Sequence, residues 1–66
     1  MQILVNGEAR QIANDSSISQ LLSTLELDGR RCAVEVNAIL VPRSEHDQHR
    51  LQLDDRVEIV QAIGGG

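Results

Sequence analysis

Apolar and polar positions change rhythm several times along the chain, and each rhythm predicts an element. Met1-Gln2-Ile3-Leu4-Val5 and Glu8-Ala9-Arg10-Gln11-Ile12 flank Asn6-Gly7. Both turn residues accept the positive φ of a type I′ turn, so the segment predicts a β-hairpin. After the loop Ala13-Asn14-Asp15-Ser16, the apolar spacing becomes helical: Ile18, Leu21, Leu22 and Leu25 fall at i, i+3, i+4 and i+7. Ser17 and Gln20 stand three apart at its start, the pattern of a capping box. Asp28-Gly29 supplies the expected stop.

The second half returns to period two. Cys32-Ala33-Val34-Glu35-Val36 predicts a strand with Cys32, Val34 and Val36 on its buried face. Asn37-Ala38 turns into Ile39-Leu40-Val41, which Pro42 ends or confines to an edge. Arg43 to Arg50 is polar and reads as irregular or a single helical turn. Leu51 and Leu53 are expected to re-enter the core, Asp54-Asp55 to turn, and a last strand to run from Arg56 to Ile63. That strand is apolar on both faces, with Val57, Ile59 and Ile63 on one and Val60 and Ala62 on the other, as a central strand would be. A single helix must cover one face of the sheet. The β-β-α-β-β-β order, with the last strand beside the first, predicts an α+β β-grasp fold, a mixed sheet with one helix packed across it.

Composition narrows the function more than the fold. Sixty-six residues make one domain near the lower size limit for folding without staples. With no aromatic residues, the core falls to six Ile, eight Leu and six Val. The lone Cys32 cannot close an internal disulfide, and no run reaches transmembrane length, so a cytoplasmic protein with no membrane partner is expected. A net charge of −4 argues against nucleic acid and for a protein partner with a basic docking face. There are six arginines and no lysine, which excludes chains of this protein linked through its own lysines.

The candidate chemistry is at the C-terminus. Gly64-Gly65-Gly66 directly follow the apolar strand, with no polar linker between. Glycine loses the most conformational entropy on ordering, so three of them add nothing to a folded end. They make sense as a thin, flexible backbone of roughly 10 Å that threads a channel and presents the Gly66 carboxylate. A frayed end or a cloning remnant is the plain alternative, and it leaves the abutment on the strand unexplained. The domain is therefore read as residues 1–63, with 64–66 as its tail. Elsewhere the chemistry is thin. Cys32 is in phase with Val34 and Val36 and reads as a structural thiol. Glu45, His46 and His49 lie in a polar loop where solvated side chains are the expectation and a metal site is not. Asp54, Asp55 and Glu58 could steer a basic partner or could simply be solvated. No catalytic residue is assigned.

On these residues the chain resembles the ubiquitin-like sulfur carriers, and among them most the ThiS family of thiamine biosynthesis. The resemblance covers the whole chain. It rests on Asn6-Gly7, on Val36-Asn37 with Ile39-Leu40-Val41-Pro42-Arg43, on Asp54-Asp55-Arg56-Val57-Glu58-Ile59-Val60, and on Ile63-Gly64-Gly65-Gly66. Asp54 departs from the pattern, since many members carry glycine there. The resemblance implies a carrier that is a substrate and not an enzyme, with no cofactor of its own. A ThiF-like adenylating enzyme of the ubiquitin-activating type would use ATP to activate Gly66. A persulfide protein would supply sulfur, and a ThiG-like thiazole synthase would receive it. Gly64 and Gly65 would thread the partner's channel, with Val60, Ala62 and Ile63 as the docking patch. Two other readings share the features: the small subunit of a molybdopterin synthase, and a ubiquitin-like protein modifier.

Overall fold

A computed structural model describes residues 1–61. It contains β1 (Gln2–Val5), β2 (Glu8–Gln11), α1 (Ile18–Thr24), β3 (Cys32–Val36), β4 (Ile39–Val41), a 3₁₀ turn (Arg43–Glu45) and β5 (Arg56–Gln61). The five strands form one sheet in the order β2-β1-β5-β3-β4. β5 is central, parallel to β1 and antiparallel to β3. With α1 lying across one face, this is the β-grasp arrangement the apolar pattern predicts. Ala62, Ile63 and the glycines Gly64, Gly65 and Gly66 lie outside the described residues, so the expected end of the last strand and the division at residue 63 do too.

Both hairpins turn on two residues with positive φ. Asn6 and Gly7 have φ of 50° and 84°, and Asn37 and Ala38 have 52° and 69°. The first pair is well suited to those angles; the second places a Cβ in the left-handed region, which costs about 1 kcal/mol. Helix α1 begins as expected. The Ser17 side chain accepts from the Gln20 backbone N–H, and the Gln20 side chain accepts from the Ser17 N–H at 2.8 Å.

The helix ends earlier than Asp28-Gly29 suggests. Leu25 is its C-cap, and Glu26 takes φ of 60°. The Leu27 N–H donates to the Leu22 carbonyl at 2.8 Å and the Glu26 N–H to the Ser23 carbonyl at 3.0 Å, the two bonds of a Schellman closure. Glutamate occupies the position where glycine normally marks this closure, so the stop is silent in the sequence.

The core is aliphatic. Ile3, Val5, Val34, Val36, Val41 and Val57 from the sheet pack with Ile18, Leu21 and Leu22 of α1 and with Leu51. Leu53 does not join them; it is 64% exposed. Leu53 and Asp54, the latter at φ 67°, are the central residues of a turn closed by the Asp55 N–H on the Gln52 carbonyl at 3.1 Å. It comes one residue earlier than the expected Asp54-Asp55 turn, so Leu53 is held outward while Leu51 is buried. Cys32, expected on the buried face, is only half-buried at the start of β3, packed against the edge of the core.

The 43–50 segment departs from a merely polar loop. His46 is 5% exposed, and its Nε2–H donates to the Val41 carbonyl at 3.0 Å. The expectation of a solvated histidine is thus corrected: the ring satisfies the carbonyl at the end of an edge strand. Backbone bonds from Ser19 N–H to the His46 carbonyl, from Ile18 N–H to the His49 carbonyl and from Leu51 N–H to the Ser16 carbonyl stitch the segment to the start of α1. No cluster of His, Cys, Asp and Glu able to hold a metal occurs among the described residues. Nor, among them, is any helix long and apolar enough to cross a membrane.

Candidate functional site

The strand that leads toward the C-terminus, β5, is held on both sides by neighbouring strands. β5 pairs with β3 over five residue pairs, from Cys32 opposite Gln61 to Val36 opposite Val57. On its other side Val5 pairs with Val57, and the Asn6 N–H donates to the Val57 carbonyl at 2.9 Å.

Two asparagines add side-chain clamps. Asn6 Oδ1 accepts from the Ile59 N–H at 2.8 Å, and its Nδ2 donates to the Ile59 carbonyl at 3.2 Å. A side-chain amide here continues the ladder after β1 has turned away. Asn37 does the same work at the other end of β5. Its Oδ1 accepts from the Arg56 N–H at 3.0 Å, and its Nδ2 donates to Asp55 Oδ1 at 3.0 Å. Sequence reasoning treats both asparagines as turn formers only. Their amides are as good a match for a strand edge as a peptide group, and that capacity was available to read.

Outward from the helix, β5 presents Arg56, Glu58 and Val60. Val60 is 67% exposed and stands opposite exposed Ala33. The face the helix leaves uncovered therefore carries an apolar step one residue before the last described position. Ala62 and Ile63, expected beside Val60, and Gly64, Gly65 and Gly66, expected to act beyond it, lie outside the described residues. Asp55 is committed internally, since its Oδ2 also accepts from the Gln52 N–H at 2.8 Å. Of the three acids read as able to steer a partner, Asp55 is thus drawn inward, and Glu58 remains on the open face.

The fold and this strand agree with what the chain is similar to. The ThiS family model matches residues 3–66, nearly the whole chain. The chain belongs to the ThiS family. The sulfur carrier protein ThiS of Escherichia coli is 36% identical over 66 residues, covering all of both proteins. The crystal structure of the thiamine biosynthesis protein ThiS from Geobacter metallireducens superposes with a TM-score of 0.85 at 29% identity, covering all of both chains. A thiazole synthase of Paramagnetospirillum magneticum is 39% identical over 66 residues, and there the chain spans only 20% of the relative's length. A ThiS-like unit thus also occurs as part of a longer polypeptide.

Proposed function

We propose that this ThiS-family chain is a sulfur carrier for formation of the thiazole ring of thiamine, and that the sulfur is carried on the carboxyl group of Gly66. The observation that supports this most is the end-to-end match with a sulfur carrier of equal extent, in a family match that runs through residue 66. The carrier is the substrate of other enzymes and has no catalytic residue of its own.

The steps follow from carboxylate chemistry. A carboxylate is a poor electrophile, so an adenylating enzyme first joins the Gly66 oxygen to the α-phosphorus of ATP, and pyrophosphate leaves. The terminal sulfur of a persulfide-bearing protein then attacks the carboxyl carbon, and AMP leaves. Cleavage of the remaining S–S bond by a second thiol leaves a thiocarboxylate, which a thiazole synthase consumes. The thiazole synthase relatives that contain a ThiS-like unit support that last partnership. Gly64 and Gly65 serve the threading step because a backbone without side chains enters a channel that others cannot. Val60, with Ala62 and Ile63, forms the apolar contact on the partner.

The test is adenylate formation. Removing Gly66 leaves the core residues untouched and is expected to abolish ATP–pyrophosphate exchange by the adenylating enzyme of the same genome. Normal exchange by the shortened protein would refute the assignment.

A further inference from the structure

Asn6 and Asn37 grip β5 in the same manner, yet the residue that follows each gives them different chemistry. Asn6 precedes Gly7, Asn37 precedes Ala38, and Asn14 precedes Asp15. The backbone nitrogen that follows an asparagine can attack its side-chain carbonyl carbon, Cγ, and close a cyclic imide. Glycine favours this attack most, because no Cβ crowds the nitrogen and the backbone reaches conformations barred to other residues. At Gly7 nothing packs within 4 Å of where a Cβ would stand. Among the described residues, no backbone carbonyl accepts from the Gly7 N–H. Asn6 itself is exposed, so water reaches it. Against this reactivity stands the grip on Ile59. The Ile59 N–H donates to Asn6 Oδ1 at 2.8 Å, and Asn6 Nδ2 donates to the Ile59 carbonyl at 3.2 Å. Attack at Cγ makes that carbon tetrahedral and takes both atoms out of the plane these bonds need. Ile59 must therefore be released before the imide can form.

We propose that Asn6 is a site of spontaneous deamidation gated by β5: protected while its amide holds Ile59, and open to reaction when that strand locally detaches. In the first step the Gly7 nitrogen bonds to Asn6 Cγ and the Cγ–Nδ2 bond breaks. Ammonia leaves with the proton that the Gly7 nitrogen gives up. Water then adds to one of the two imide carbonyls and the bond from that carbon to the nitrogen breaks. Opening at Cγ gives aspartate, and opening at the main-chain carbon gives isoaspartate; each new carboxyl group releases its proton to solvent. Neither product can restore the clamp. An aspartate oxygen still accepts from the Ile59 N–H, but the other oxygen meets the Ile59 carbonyl where an N–H donated before, and two acceptors repel. Isoaspartate routes the main chain through an extra methylene inside a two-residue hairpin turn whose length sets the strand register. The modification thus makes each later opening of β5 easier. Asn37 is the internal comparison. Its Oδ1 accepts from the Arg56 N–H and its Nδ2 donates to Asp55 Oδ1, both at 3.0 Å, but Ala38 hinders the attack.

The experiment ages the full chain at neutral pH in buffer, in guanidinium below the unfolding transition, and in guanidinium above it. Cleavage after arginine releases peptide 1–10 with Asn6 and peptide 32–43 with Asn37, and mass spectrometry reads the exchange of an amide for a carboxyl group in each. In the unfolded chain Asn6 is expected to convert at least about tenfold faster than Asn37, since only the first precedes glycine. Folding is expected to slow Asn6 by about tenfold or more, because two hydrogen bonds must open first. Below the transition its conversion should rise in step with amide exchange at Ile59. Equal rates for Asn6 in the folded and unfolded chain would overturn the gate. So would conversion that follows global unfolding alone while exchange at Ile59 rises earlier. Asn37 converting as fast as Asn6 in the unfolded chain would overturn the assignment of the site. Asn6→Asp reproduces one product directly, and it is expected to speed exchange at Ile59 by about tenfold while leaving Arg56 unchanged. Parent-like exchange at Ile59 in that variant would overturn the claim that the modification loosens β5.

Discussion

The two faces of the sheet are built from the same strands and differ only in which residue parity they present. On the covered face, Ile3, Val5, Val34, Val36 and Val57 are buried against α1 and Leu51. On the open face, the alternate positions Ala33, Glu35, Glu58 and Val60 are exposed. Val57 and Val60 make the contrast sharpest. They are the same residue type three positions apart on one strand, at 1% and 67% exposure. The first contributes to stability and the second does not. An exposed valine on a central strand of so small a domain is available for contact with another molecule.

The most severe way to break this comparison is to place the same charge on each face. Val57→Asp buries a carboxylate with no partner, at a cost of several kcal/mol. That is comparable to the whole stability of a small domain. The variant should lack a cooperative thermal transition by circular dichroism. Val60→Asp should melt within a few degrees of the parent, yet weaken binding to the adenylating enzyme more than tenfold, the effect of losing an apolar anchor worth ~2 kcal/mol. A Val60→Asp protein that fails to fold would place Val60 in a core and remove it from the docking surface.

Smaller substitutions sharpen the role of the strand between the faces. Asn6→Ala removes both side-chain bonds to Ile59. It should cost about 1–3 kcal/mol in denaturant unfolding and speed amide exchange at Ile59 before other β5 positions. Uniform exchange along β5 would show that the clamp is dispensable. The least effect is expected at the second hairpin. Ala38 has φ of 69°, so Ala38→Gly should relieve strain and raise stability by about 0.5–1 kcal/mol. A loss of stability there would mean that the Cβ makes a contact outweighing the strain.

Much of this was legible in the sequence because the signals were local. The Asn6-Gly7 turn, the Ser17/Gln20 box and the stripe of Ile18, Leu21 and Leu22 each carry their physics within a few residues. The apolar pattern on both faces of the last strand correctly located it at the centre of the sheet. What the sequence hid either lacked its usual local signal or involved partners far along the chain. His46 looks like a solvated loop residue until the segment folds back and meets the Val41 carbonyl. Leu53 looks like Leu51, and only the turn at Asp54 separates their fates. The helix closure at Glu26 lacks its usual glycine, and the clamps of Asn6 and Asn37 exist only because β5 lies between the two hairpins.

Sulfur transfer by this chain depends on one atom of the Gly66 carboxyl group. Its most direct test is the mass of the C-terminal peptide after incubation of the protein with the adenylating enzyme of the same genome, ATP and a persulfide sulfur source. The expected product is a species heavier by the replacement of one oxygen with sulfur, located at Gly66 by fragmentation and absent when ATP is withheld. An unchanged C-terminal mass in an otherwise active mixture, or sulfur found on Cys32 instead, would contradict it.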